Sequence, residues 1–567
     1  MMTTRIMAIL VMVSPLILLA GCAQTASEPK ETMAQGDTTA QLVAKAGAPL
    51  FDGMGNHHHK ITTSNDGAQR YFDQGLIIDF AFNHAESARS FRAAQTLDPD
   101  CAMCYWGEAL ALGPNINVTS NGMVIMSDDE RVKAHNAIQK ALALKGRASE
   151  QERDYIDALA ARYNGDITTP REPLDQAYMH EMRALHHKYP DDDDAAALFA
   201  ESMMNTMPWD YWVDPENPKP LTEQVLTALE TVLERAPMHP LAIHLYIHAV
   251  EASSSPERAE QAADTLADLV PGAGHLVHMP AHIYWRVGRY NDASEANVRA
   301  AAVDEAYIAA CNAQGFYPAA YYPHNIHFLW AASSMEGRSK VAIKAARKVK
   351  ANVQLEMIEA FPGVEFFHTI PMLALTQFGR WDEVLAEPQP REDLEFSNGI
   401  WHYVRAMAYA NKGQLEEAKA EREKLVPLKD ATDVHFLDSI YYPATSLLAI
   451  ADELTLGTIA MAENNVDKAI SHFQTAVATQ DQLPYTEPPF WYYPTRHTLG
   501  KALLAAGRAE EAEATYRKDL EQYPRNGWAV YGLIESLKAQ GKDTEKYRDK
   551  FAILWAEADI TLSSSAF

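Results

Sequence analysis

The feature that most limits how this chain can fold is an interval. His244 and His278 lie 34 residues apart, and so do His248 and His282. A polar pair that returns at a fixed distance, much longer than a helical turn, points to stacked copies of one supersecondary unit. Each copy then sets equivalent side chains beside those of its neighbour. Three runs carry the pattern: HLYIHAVE with His244, His248 and Glu251, HLVHMPAH with His275, His278 and His282, and YPHNIH with His324 and His327. Seven of the 21 histidines therefore fall within one short stretch, which makes a site built by the repeat itself the main functional clue.

The repeat is clearest near the C-terminus. Leu456-Gly457, Ala469, Phe473 and Ala476 are followed at matching spacings by Leu499-Gly500, Ala512, Tyr516 and Pro524. Tyr71, Gly75, Phe91, Ala94 and Pro99 hold the same spacings early in the chain. Small residues suit places where two helices touch, aromatics fill the gaps between units, and proline ends a helix. Gly288, Gly337, Gly379 and Gly413 sit where turns between helices are expected, and no alternating pattern of useful length argues for strands.

This arrangement resembles the tetratricopeptide repeat, a helix–turn–helix unit of 34 residues. The resemblance implies an all-α superhelical solenoid with units beginning near residues 68, 102, 240, 274, 323, 365, 399, 450, 493 and 525. The stretches 120–190 and 200–235 read as helical but match the repeat poorly. A break is expected at Glu387-Pro388-Gln389-Pro390, dividing the solenoid into residues 61–386 and 387–567. The runs FDQGLIIDFAFNHAESARSFRAA, CAMCYWGEALALGPNIN and GHLVHMPAHIYWRVGRYNDA also resemble a group of bacterial tetratricopeptide lipoproteins, which implies a fold and a location and no reaction.

The first 21 residues read as an export signal: Arg5 precedes an apolar stretch from Ile6 to Leu19 that is short for a bilayer span. Leu19-Ala20-Gly21-Cys22 resembles a bacterial lipobox, so Cys22 is the expected lipidated N-terminus. With Ala23 after it, the resemblance implies an outer-membrane lipoprotein facing the periplasm. Residues 22–60 read as the lipidated end and a flexible tether. No later segment reads as a membrane span. The chain carries 49 Lys and Arg against 76 Asp and Glu, a formal charge of −27. With no basic run to override it, that charge argues against a nucleic-acid partner and suits a protein, a peptide or a cation.

In tetratricopeptide arrays the second, fifth and ninth positions of each unit's first helix face the concave groove. By that resemblance all seven histidines map to one lining. Side chains four apart share a helix face, and stacked helices lie roughly 8–10 Å apart, within joint reach of two imidazoles. Imidazoles with a carboxylate form the usual ligand set for zinc, copper or iron. His248, His282, Glu251 and His278 form the expected inner set, with His244, His275, His324 and His327 in support. Met203, Met204, Met207 and Met279 could tilt the choice toward copper, although methionines at helical spacing usually belong to a core. Pro280 must begin or kink a helix, which puts the periodic placement of His275 and His278 in question.

The leading expectation is a lipid-anchored binding or scaffold protein with a metal site in its groove. Two alternatives use the same residues. One is a metal-dependent hydrolase with Glu251 as general base, although HLYIH has Leu where the HExxH motif needs Glu. The other is a polar groove that holds a peptide and no metal. Among lesser features, His57-His58-His59 reads as a solvated loop, and Asp191 to Asp194 as a solvated run capping a helix. Cys101 and Cys104 read as small buried residues that could form a local bridge, while Trp209 and the run Pro488 to Tyr493 read as packing or groove walls.

Overall fold

The computed structural model describes residues 37–118, 126–311 and 316–567, and Cys22 lies outside them. Among these residues the chain is helical almost throughout, with one small antiparallel hairpin pairing Trp212–Asp214 with Asn217–Pro218. Helical hairpins follow one another along the chain: Asp66–Phe80 with His84–Leu97, Pro240–Val250 with Glu260–Leu266, Tyr322–Met335 with Ser339–Asn352, and Ala444–Ala462 with Val466–Gln480. The architecture is an all-α solenoid of tetratricopeptide type. The expected unit starts fall within a few residues of observed helix starts, such as Ala102, Pro240, Gly274 and Arg496.

The repeat positions act as their chemistry suggests. A Cβ added at Gly457 would lie 2.3 Å from the ring of Phe473 in the same hairpin, so only glycine admits that aromatic. Prolines stand at the first turns of Pro220–Arg235, Pro240–Val250 and Pro280–Arg286, where the missing N–H would have no intrahelical partner. All 11 residues of Pro240–Val250 are buried. A helix covered on every side belongs in the middle of a protein, and this one carries His244 and His248.

Several expectations need correction. Residues 39–46 form a helix capped by Thr38, and Leu42, Ala46 and Ala48 are buried against the solenoid, so the described part of residues 37–60 is packed. Tyr71 donates its hydroxyl to the Ala48 carbonyl at 2.5 Å. Ala444–Ala462 is long and apolar enough to cross a membrane, although no such segment was expected; it is mostly buried and packs between neighbouring helices of the solenoid. The break near Glu387 is a loop that packing spans: Trp401 donates to the Glu387 carbonyl at 3.1 Å, and helix Glu395–Asn411 rests on the helices before it.

The C-terminal end of the solenoid also docks on its middle. Trp528 donates its indole N–H to the Ser334 carbonyl at 3.0 Å, and Asp559 accepts from the backbone of Ser339 at 2.8 Å and of Lys340 at 3.0 Å. The glycine turns at 288, 337 and 379 form the ledge for this docking, touching Pro524, Trp555 and Phe567.

This ledge gives a paired test. Gly288 has φ +77°, and an added Cβ would lie 1.9 Å from the Pro524 carbonyl oxygen; Gly507 has φ +74° with open space around it. Left-handed backbone alone costs an alanine about 1–2 kcal/mol. Gly507→Ala should lose about that much in urea unfolding, and Gly288→Ala clearly more, because the docked end must also shift. Equal losses would mean that the contact at Pro524 contributes nothing.

Candidate metal centre

Three consecutive first helices supply the histidines. His244 and His248 stand four apart on Pro240–Val250, with Glu251 directly after its last turn. His275 and His278 lie on Gly274–His278, His282 on Pro280–Arg286, and His324 on Tyr322–Met335. Pro280 bends its helix without ending it. Met279 keeps helical angles (φ −50°, ψ −37°), so His278 and His282 still share a face. Their rings lie 4.7 Å apart, and their Nε2 atoms 2.8 Å apart.

The orientation of each ring follows from what its Nδ1 meets. His244 Nδ1 is 2.6 Å from the Phe80 carbonyl oxygen. A carbonyl only accepts, so this nitrogen carries the hydrogen. His248 Nδ1 meets Glu251 Oε1 at 2.8 Å, and His282 Nδ1 meets Glu251 Oε2 at 2.6 Å. His278 Nδ1 is 2.7 Å from Asn297 Oδ1, and the amide is fixed that way because Asn297 Nδ2 donates to the Ala293 carbonyl at 2.8 Å. Four rings thus point their N–H outward to acceptors and leave Nε2 facing inward.

The inward nitrogens have little to bind. The Nε2 atoms of His244 and His248 are buried without a hydrogen-bond partner, as are both ring nitrogens of His275. His278 Nε2 faces His282 Nε2 at 2.8 Å and His324 Nε2 at 3.1 Å. One ring nitrogen cannot accept from two donors through a single lone pair, whereas three nitrogens this close suit a shared ion.

Burial, reinforced by neighbouring imidazoles, pushes His244, His275, His278 and His324 well below the ordinary histidine value, which keeps them neutral. Neutral imidazole is the form that ligates metal. Burial opposes charge on Glu251 as well, but His282 and His248 hold its carboxyl well below the usual range. Glu487 goes the other way: burial and the charge of Glu251 push it far up, so it is a neutral acid. His282 loses by burial and gains more from Glu251 and Glu487, reaching about 10.

Aromatic rings close the site. Phe82, held at φ +57°, places its ring 4.5 Å from His244 and 5.4 Å from His275, and Phe328 lies 5.1 Å from His282. Trp209 packs 5.0 Å from His248 and donates to Asn117 Oδ1 at 3.1 Å, so this aromatic is a wall of the site. The C-terminal part of the chain also reaches the histidines, on the side of Glu251. Glu487 Oε2 reaches 2.6 Å from His282 Nδ1, and Tyr485 approaches Glu251 at 3.5 Å.

The sequence-expected residues divide clearly. His244, His248, His275, His278, His282 and His324 come together. Glu251 lies behind the rings, where it orients His248 and His282 through Nδ1 and stands apart from the Nε2 atoms. His327 is not brought in: it stacks on Trp330 at 5.1 Å and meets Phe366 and Phe367 edge-on, an aromatic pocket beside the cluster. Met203, Met204 and Met279 are core residues. Cys101 and Cys104 form a buried disulfide. Phe80, Asn297 and Glu487 were missed, since each acts by position and nothing in its local sequence marks it.

The His57-His58-His59 run is held in place and is no solvated loop. His57, His59 and His239 surround Asp194 at 3.0, 2.7 and 3.1 Å, and Asp194 is buried, against the expectation of a solvated run. Asp192 does cap its helix, accepting from Ala195 at 3.0 Å. This cluster resembles a ligand set but differs in kind. His239 Nδ1 accepts the Ala242 N–H at 3.2 Å, so its Nε2 bears the hydrogen and donates to Asp194. It is a hydrogen-bonded clamp.

No family model matches the sequence, and no curated protein does. Solved structures similar to it include the human IFIT1 dimer with m7Gppp-AAAA, at 11% identity and TM-score 0.31 over 76% of this chain and 87% of that one. The TPR domain of P58(IPK) is 11% identical with TM-score 0.23, over 84% and 98%. The APC/C hetero-tetramer Cut9-Hcn1 is 12% identical with TM-score 0.27, over 86% and 90%. Likenesses this loose carry no function across, and the tetratricopeptide architecture stands on the hairpins themselves.

His327 offers a test apart from the six. Burial pushes it from 6.5 down to about 3. Between those values the unfolded chain binds the extra proton, so stability rises with pH by up to about 1.4 kcal/mol per unit and is lost as pH falls from 6.5 toward 3. His327→Phe keeps the ring stack and removes the proton site. Urea midpoints of this variant should fall less steeply with acid than those of the parent, and parallel curves would place the titration elsewhere.

Proposed function

We propose that this protein is a lipid-anchored, periplasm-facing metalloprotein of the cell envelope, in which a tetratricopeptide-type scaffold holds a histidine-ligated transition metal. The observation that carries the reading is the common direction of the imidazoles. Outward N–H groups are fixed by Phe80, Asn297 and Glu251, while the inward Nε2 atoms of His244 and His248 have no hydrogen-bond partner and those of His278, His282 and His324 crowd together. A ligating histidine ordinarily donates its other nitrogen to a carbonyl or carboxylate, which fixes tautomer and ring orientation. Zinc, copper and iron all accept imidazole nitrogen.

The peptide-groove reading fits less well, because His244, His248, His275, His278 and His282 are buried and offer a peptide no open surface. The hydrolase reading loses its base, since Glu251 is engaged by two ring N–H groups behind the site. A protein partner on the remaining scaffold surface agrees with the architecture and with the −27 charge. The envelope location rests on the leader and on Cys22, and the Cys101–Cys104 disulfide suits an oxidising compartment.

Full-length protein extracted in detergent should retain a transition metal through desalting, and His278→Ala/His282→Ala should lose it while keeping its helical circular dichroism. Negligible metal in both, even after incubation with zinc, copper or iron salts, would refute the metal reading. For the anchor, Cys22→Ser should move the protein from the membrane to the soluble fraction. Continued membrane retention would remove lipidation from the proposal.

A further inference from the structure

Resting on that metal reading, we propose that the centre is binuclear, with two three-histidine sets facing one another. One set is His244, His248 and His275; the other is His278, His282 and His324. Within each, one ligand atom per residue lies within 4.8 Å of the others. An ion with metal–nitrogen bonds of about 2.0–2.1 Å draws its ligand atoms to within roughly 4 Å of each other, a small contraction for either set.

The rings form a closed circuit. Centroids lie 5.0 Å apart from His275 to His244 and from His244 to His248, then 5.3 Å from His248 to His282. They continue at 4.7 Å from His282 to His278 and 5.7 Å from His278 back to His275, with His324 standing 4.8 Å outside His278. The two sets thus meet along two edges. Six imidazoles in this circuit exceed what one tetrahedral ion takes, whereas two ions receive three each and keep one position open.

Glu251 supplies the independent observation. Its Oε1 holds His248 of the first set at 2.8 Å, and its Oε2 holds His282 of the second at 2.6 Å. A single rigid carboxylate therefore fixes the spacing of the two sets from behind, which a one-ion site would not need. The inward donors are all ring nitrogens, none of which carries a negative charge to offset a cation. Two divalent ions would place four charges in a buried space, and the penalty for burying an ion grows with its charge. Copper, which accepts imidazole and can enter as Cu(I), meets this constraint with half the charge.

The test is a titration of the full-length protein with Cu(I) under anaerobic conditions, followed by desalting and metal analysis, with zinc in a parallel arm. Two copper ions per chain are expected for the parent, and about one for each of His275→Ala and His324→Ala. Air oxidation should leave the parent with two coppers and little paramagnetic signal, because facing Cu(II) ions couple their spins, while the one-copper variants give a full signal. The parent's stoichiometry and spin state decide the matter even where a variant folds poorly. Saturation at one ion overturns the binuclear centre and leaves the metal reading standing, whereas no retained ion overturns both. Two retained coppers with a full, uncoupled signal also overturn it, and two zinc ions with no copper would overturn the choice of metal.

Discussion

The structure depends on burying six imidazoles together while giving four of them an acceptor for the Nδ1 hydrogen. Each ring carries one donor and one acceptor when neutral, so a close cluster must send its donors somewhere. Here they go outward, to the Phe80 carbonyl, the Asn297 amide and Glu251. That choice fixes the surrounding architecture. The helix behind His244 must end near Phe80, the second helix of the next hairpin must present Asn297, and helix Pro240–Val250 must stop where Glu251 can turn back. Desolvation then keeps His244 and His278 neutral.

Much of this was legible in the sequence because a repeat converts spacing into position. The 34-residue interval between His248 and His282 placed them on adjacent helices, and their rings lie 5.3 Å apart. Turn glycines and unit starts followed from the same regularity. What failed was the inference from repeat position to exposure. The concave lining of an open solenoid is a surface, but here the histidines are buried, with Trp209 against His248 and Glu487 against His282. His327 failed because its helix is fully packed, so a residue three positions from a ligand faces other aromatic rings.

Glu487 shows a different limit. It lies 236 residues after Glu251 and reaches the site only because the solenoid curls round. No local pattern marks a glutamate before a proline as the partner of a distant carboxylate. The His57–Asp194–His239 cluster shows the converse: residue types alone suggest a metal, and only the hydrogen bond from Ala242 to His239 reveals that its nitrogens are already committed.

The docking of the C-terminal end on the middle of the chain changes what kind of object the solenoid is. An open array is a row of neighbours, and its terminal units can fray while the middle stays folded. With Trp528 bonded to Ser334 and Asp559 to Ser339, the last units fold back on the middle of the row, and fraying of that end exposes the ledge there. The chain also acquires an order in time. All six inward histidines are present once residue 324 has been made, while Tyr485 and Glu487 come much later. A chain emerging from its N-terminus therefore owns every histidine of the cluster before it owns the groups that close the Glu251 side.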